Sequence, residues 1–333
     1  MQAGVQIKTE RCNFHALEEV KLRATYLIVV TPVGLLALPP YHDDMDMPTD
    51  PLTWSQITAS AFTVLTVLAE LSFILAYLFA VRRLRARGGQ WARNRVICAL
   101  LASLGLLVAI NSVIGVYDMS LFWVHMIQHL LLVMIVAPLL AFAAPVALLR
   151  ASLGEQGKAR FDALAKNPGA RLLGHPGVAF LIYAIVIPVF HLTSLFNSCL
   201  TSMSVHRGEQ AIFLVAGYLF WRQVAGIEPT KPLSPPVRFI FTLLAIPVDT
   251  FTGLALVMTK HEPFSAYEAM PRHWGPSLID DIHLGGAIMW VGGDLLMLFV
   301  LIPVAIAWLR YEDRKTKEID AQLDAEREAL KEN

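Results

Sequence analysis

Apolar runs of around 20 residues alternate with short polar stretches along this chain. They fall at roughly 24–40, 54–81, 96–117, 121–149, 177–197, 201–221, 237–259 and 284–309. A run of that length crosses a bilayer as an α-helix. The pattern predicts an all-α, polytopic membrane helix bundle, with seven core transmembrane helices preceded by a weaker N-terminal one. It divides the chain into an N-terminal part (1–53: tail, first span and acidic outer loop), a seven-helix membrane domain (54–310) and a tail (311–333). Pro32 and Gly34 interrupt the first run, and Lys21 and Arg23 ahead of it also fit a signal peptide. Either way the next residues emerge on the same side. The tail is polar with mixed charge and reads as a short cytoplasmic helix or a disordered end.

Loop charges orient the bundle. Residues 82–95 carry six arginines, and 150–176 carry Arg150, Lys158, Arg160, Lys166 and Arg171. The loop with Arg222, Lys231 and Arg238 lies on the same side, as do both basic tails. The opposite loops 41–53 and 118–120 have no basic residue, and 260–283 has only Lys260 and Arg272. The positive-inside rule makes the basic side cytoplasmic, in a bacterial cell membrane crossed several times. Composition agrees: 56% of residues are hydrophobic and 16% charged, against about 25% charged in a soluble domain. The 27 basic and 27 acidic residues cancel. The expected surround is therefore lipid, with no nucleic-acid partner. Of the cysteines, only Cys199 falls on the outer side, so no disulfide forms there within the chain.

Eight of the ten histidines fall on the outer side, and four of these lie inside spans. Intramembrane ionisable groups face a bundle interior or a pathway. His125 and His129 are four apart and share a helix face. Counting about 1.5 Å per residue, His125, His191 and His206 sit roughly 7–9 Å below the outer surface, with His129 about a turn deeper. Imidazoles from three successive helices at one level point to a metal site. Met203, three residues before His206, adds a thioether suited to monovalent copper. Taken singly, each such histidine or methionine also has a plain reading as a packed core residue.

The outer loop "YHDDMDMPTDP" offers His42, Met45 and Met47 as accessory copper ligands, or it is simply a solvated acidic loop. His283, at the mouth of the last span, is a further accessory candidate. Glu70, Asp249 and Asp294 lie at mid-membrane depth. Groups so deep are protonated or paired. They form either a polar pathway or hydrogen-bonding links between helices.

Several segments, taken in order, resemble a known family. They are "HMIQHLLLVMIVAPLLAFAAPVALL", the His175–Pro176 pair, His191, the H-x-x-E of His206 and Glu209 leading into "YLFW", and "DIHLGGAIMWVGGD". The order resembles the multi-helix CtaG family of caa-type cytochrome c oxidase assembly factors, over roughly residues 54–310. The resemblance implies a role in building the oxidase copper centre or in membrane copper handling. It carries over His125, His129, His191, His206 and Asp281. The chain departs from the family pattern at Gln210, where a histidine is common, and at Ile282, where a glutamine is common.

Three functions compete on this reading. One is a non-enzymatic assembly factor that holds copper, as the monovalent ion, for an oxidase subunit or another copper-handling protein. The second is a copper or cation transporter using Glu70, Asp249 and Asp294. The third is a membrane b-type haem protein, since paired histidines also ligate haem.

The orientation is testable. In a background without the native cysteines, Met45→Cys should react with an impermeant thiol reagent from outside. Gln90→Cys should react only after the membrane is opened. The reverse pattern overturns the assigned topology.

Overall fold

The computed structural model describes Pro51 and residues 64–227, 232–268 and 272–332. The first expected span, the start of the second, and His42, Met45 and Met47 lie outside these residues. Among the described residues every regular element is helical. In chain order these are α1 (Val64–Ala86), α2 (Arg93–Tyr117) and α3 (Phe122–Ser152), α4 (Glu155–Ala165), α5 (Pro168–Gly174) and α6 (Pro176–Leu192). Then come α7 (Leu195–Thr201), α8 (Met203–Ala225), α9 (Pro235–Val257), α10 (Ser265–Glu268) and α11 (Leu278–Lys331).

Four of these helices are long and apolar enough to cross a membrane: α2, α3, α9 and α11. The pair α5 and α6, bent by 69°, makes a fifth if it is one broken span. This corrects the seven core spans expected from hydropathy. α6 has 17 residues, about 26 Å at 1.5 Å each, short of a hydrocarbon core of about 30 Å. α8 carries Arg207, Glu209 and Gln210 in its first turns and Arg222 in its last, too polar for a simple span. α1 begins beside residues outside the described set. At the far end, α11 runs on without a break through the polar tail, as helix rather than disordered chain.

α3 is the central post. Its most apolar stretch is 56% buried, against 28% for α2 and 17% for α11. It packs against α2, α8 and the first turns of α11, while α6 lies against α8 and α9, and α9 against α11. The outer helices show apolar stripes instead. Leu68, Leu71, Leu75 and Leu78 recur along one exposed face of α1, and Ile97, Leu100, Leu104 and Val108 along one of α2. Helical spacing makes each a continuous stripe. A water-soluble monomer rarely exposes such a patch; these fit a hydrocarbon surround.

Small residues set the closest approaches. A Cβ on Gly217 of α8 would stand 2.9 Å from the Ala137 Cβ of α3. A Cβ on Gly253 of α9 would stand 2.6 Å from the Gly286 carbonyl oxygen and 2.8 Å from the Trp290 Cβ of α11. Such contacts let backbones meet without a driving force from water. α3 is also irregular. A π-helical turn covers Leu131–Val136, and the Val133 carbonyl accepts a 2.7 Å bond from the Trp221 indole. At Ala144 the backbone turns left-handed, with φ 52°, and Tyr77 of α1 satisfies the neighbouring Ala143 carbonyl at 2.8 Å. Below that break, Arg150 grips Asp162 of α4 through two bonds of 2.7 and 2.8 Å. The guanidinium holds the Asp162 carboxyl below its usual range.

Gly253→Val should force α9 and α11 apart. Overpacking of this kind costs about 1–3 kcal/mol. Tryptophan-monitored thermal unfolding in detergent should show a lower midpoint for this variant, while Gly154→Ala, where a Cβ meets open space, serves as the neutral reference.

Candidate metal centre

His125 and His129 come from the first two turns of α3, His191 from the last turn of α6, and His206 from the first turn of α8. The structure brings all four together. Ring centroids lie 4.3 Å apart for His125 and His129, 5.1 Å for His129 and His191, and 5.3 Å for His125 and His206. All four are at least 95% buried. At their centre is Glu209, 1% exposed. One carboxylate oxygen lies 3.5 Å from His125 Nε2 and 3.4 Å from His129 Nε2; the other lies 3.5 Å from His206 Nδ1.

Among the described residues, eight polar atoms of this group have no hydrogen-bond partner: both ring nitrogens of His125 and of His129, His191 Nε2, His206 Nδ1 and both Glu209 oxygens. Leaving a buried polar group unpaired costs roughly 1–3 kcal/mol. The separations fit a shared cation. An ion held tetrahedrally at about 2.0–2.1 Å from each donor keeps the donors about 3.3 Å apart. Two overlapping sets, His125–His129–His191 and His125–His206–Glu209, each place their ligand atoms within 4.8 Å of one another.

The surrounding bonds aim two of these rings. His191 Nδ1 lies 2.8 Å from the Ile187 carbonyl, so it donates there and its Nε2 lone pair faces the cage. His206 Nε2 lies 3.0 Å from Asp118 Oδ2, which leaves Nδ1 toward Glu209. Asp118 is itself held by the Gln128 amide at 2.5 Å. Gln128 also donates to the Ala109 carbonyl at 2.9 Å and accepts from Gln210 at 3.0 Å. Carboxylate–imidazole pairs of this kind orient metal-binding histidines in general. Phe196 of α7 roofs the group, 4.9 Å from the His125 ring, with the tilted rings of Phe264 and Tyr267 packed beyond it. Cys199 of α7 is buried within reach of Glu209. On the other side lies a cavity of about 20 Å³ bounded by His129, His191, Met126, Met134, Met289 and Asp249, room for one water molecule.

The other expected site residues are placed as follows. Met203 is the first residue of α8, half-buried and one turn ahead of His206. His283 is 2.9 Å from the Thr259 carbonyl and ties α11 to the end of α9. Asp281 accepts from the Phe122 and Trp123 amides at 3.2 and 3.0 Å and from Arg272 at 3.1 Å. It caps α3 from another helix, one turn ahead of His125. Of the deep carboxylates, Glu70 accepts from Asn111 at 3.1 Å, Asp249 from Tyr183 at 2.7 Å, and Asp294 from Thr250 at 3.0 Å. Each thus has its own partner. Sequence reasoning places Glu209 in the H-x-x-E motif without counting it as a ligand, and it misses Asp118 and Gln128. A polar residue at each end of "DMSLFWVHMIQ" is the signal that marks them.

A profile of the cytochrome c oxidase caa3 assembly factors matches residues 75–311. The chain belongs to that family. It is similar to an uncharacterized protein of Mycobacterium bovis, 28% identical over 299 residues, covering 84% of this chain and 44% of that protein. The same figures hold for one from Mycobacterium tuberculosis. One from Mycobacterium leprae is 27% identical over 267 residues, covering 75% of this chain and 40% of that protein. The chain therefore spans less than half the length of these curated relatives. No solved structure matches it. The family match takes in the whole cage, from Asp118 to Gln210, and its Asp281 cap.

Asp281→Ala removes that cap and leaves Arg272, 8% exposed at its side chain, without its partner. Loss of a capping carboxylate costs about 0.5–2 kcal/mol, and an orphaned buried charge adds to it. Thermal unfolding should show the loss, and Asp281→Asn should recover only part of it.

Proposed function

We propose that this chain is a membrane assembly factor for cytochrome c oxidase that carries copper in the His125–His129–His191–His206–Glu209 cage and yields it to an oxidase subunit. The observation that carries the reading is Glu209 buried 3.4–3.5 Å from three imidazole nitrogens, with none of these atoms otherwise bonded. Copper here is cargo. Binding and release are ligand exchange, with no bond-making step for the protein to catalyse. His125, His129, His191 and His206 offer nitrogen, and Glu209 offers an anionic oxygen that lowers the cost of holding a cation in a low-dielectric interior. Asp118 keeps the His206 ring turned for the task.

The oxidation state depends on the donors used. Sequence spacing puts Met203 beside His206 and favours the monovalent ion. With Glu209 at the centre instead, the cage also suits the divalent ion. Monovalent copper would lean on the imidazoles and on the thioether-bearing wall of the adjoining cavity, where Met126, Met134 and Met289 line the space beside His129 and His191.

A second reading, inward passage of copper, draws on the same cavity, because Asp249 also lines it. A haem has no comparable support. A planar macrocycle does not fit among rings 4.3–5.3 Å apart beside a 20 Å³ space.

Metal analysis of the purified full chain tests the cage. Copper loading should give bound metal in the unaltered protein and little in His125→Ala or Glu209→Gln. Asp118→Asn should weaken binding about 10–100-fold, the usual effect of losing such an orienting partner. Full copper binding by a variant lacking all four histidines would place the metal elsewhere. In cells, a deletion should lower oxidase activity and its copper content. Asp249→Asn should restore both if the chain hands copper over, and fail to restore them if copper passes through.

A further inference from the structure

A second built feature lies at the opposite end of α2 from the cage. The 25 residues of α2 separate the two by about 37 Å of helix. There a cavity of about 680 Å³ opens between the last turns of α1 and the first turn of α2. That size is within the range of ligand pockets in general. Its polar wall is three guanidiniums, Arg82 and Arg85 from α1 and Arg93 from α2. Leu78, Arg82 and Arg85 follow i, i+4, i+7 spacing and share one face of α1. Arg93, Val96 and Ile97 follow i, i+3, i+4 spacing and share one face of α2.

Among the described residues no acid offsets these charges in the pocket. None lines it, and residues 82–95 contain six arginines without one aspartate or glutamate. Arg93 is also the first residue of α2, so the positive end of that helix dipole adds to the same field. The walls are held in place. The Trp91 indole donates to the Tyr77 hydroxyl at 3.0 Å, and Tyr77 donates to the Ala143 carbonyl at 2.8 Å. Arg85 donates to the Trp91 carbonyl at 3.2 Å. The remaining wall is aliphatic, and Leu78 and Ile97 are 37% and 54% exposed on the apolar stripes of their helices.

An occupant must therefore bring an anion to the arginines and hydrocarbon to the stripes. The guanidinium fork matches phosphate oxygens. We propose that this pocket binds an anionic phospholipid, with its phosphate among Arg82, Arg85 and Arg93 and an acyl chain along Leu78 and Ile97. Basic pockets between membrane helices on the cytoplasmic side take such headgroups in general, and the charge bias of the loops puts these arginines on that side. The lipid fixes the depth of the α1–α2 hairpin, on which α3 rests. The inference is independent of copper.

The experiment is native mass spectrometry of the full chain released from micelles containing phosphatidylglycerol, phosphatidylcholine or inorganic phosphate. The unaltered protein should retain phosphatidylglycerol at least tenfold over phosphatidylcholine. Replacing Arg82, Arg85 and Arg93 with glutamine should lower retention by on the order of a hundredfold, at a fewfold per charge. Replacing Lys158, Lys166 and Arg171 of the neighbouring loop should leave it unchanged. Equal retention of the two lipids by the unaltered protein overturns the proposal without any variant. So does equal loss in both triple variants, which reports general charge. Displacement of the lipid by millimolar phosphate assigns the arginines to a free anion instead and also overturns it.

Discussion

One buried carboxylate organises the histidine cage of this molecule. Glu209 is almost fully buried, and an unpaired carboxylate in such a place is among the most costly groups a fold can hold. The rest of the bundle answers that constraint. α8 has to lie close against α3 so that Glu209 meets His125 and His129, and Gly217, two turns along α8, permits that approach at Ala137 and Val133. α6 has to lie against α8 so that His191 closes another side. Asp118 has to hold His206 from the turn between α2 and α3, because His206 on its own could point either ring nitrogen inward. A cation bound among these donors would neutralise the carboxylate and engage one nitrogen of each imidazole at once. Protonation of one imidazole would offset the charge but would still leave most of the ring nitrogens unpaired.

The irregular parts of α3 serve the same end. Its first turn has no side-chain cap of its own, and Asp281 reaches across from α11 to supply one. That single carboxylate fixes where the α3 axis starts, hence the height of His125. The π-helical turn begins two residues after His129 and gives the helix an extra residue there, rotating the later turns about the axis. Turns of this kind are common at functional sites. Here the Val133 carbonyl takes its bond from Trp221 of α8. The helix that delivers Glu209 is thus latched to the one that delivers two histidines. The motif "YLFW" matters through that latch as well as through packing.

The helical class and the meeting of the four histidines were legible in the sequence, because each comes from counting along a helix. Direction around the axis was not. The i, i+3 relation of His206 and Glu209 shows that they share a face but not that the face turns inward. Met203 bears the same relation to His206 from the other side, as the first residue of α8. Asp118 fell in a three-residue connection that counting treats as a spacer, yet its fixed place between two packed helices makes it a precise anchor. Seven spans were overcounted because hydropathy averages across the polar start of α8 and the short α6. A glutamate at a cage looks, in an average, like part of an ordinary membrane helix.

The roof over the cage bears on how cargo would leave. Phe196 covers His125 and is backed by Phe264 and Tyr267, so no donor of the cage faces open space on that side. A ligand-exchange step needs an incoming donor within bonding distance before the outgoing bonds are lost. In a copper carrier Phe196 would therefore have to move together with α7, whose Phe196, Cys199 and Leu200 are fully buried. α7 has seven residues, too few to be stable by itself, and is joined to its neighbours by the short connections at Thr193–Ser194 and Ser202. It also carries Cys199, a soft donor buried beside Glu209. Displacing α7 would open the cage and bring a thiol past it in one motion. On the opposite side, the 20 Å³ cavity is too small to pass an ion with its ligands without rearranging α3 and α6. Passage through the bundle would thus require two longer packed helices to move, whereas delivery to a partner would require displacing only the seven-residue α7.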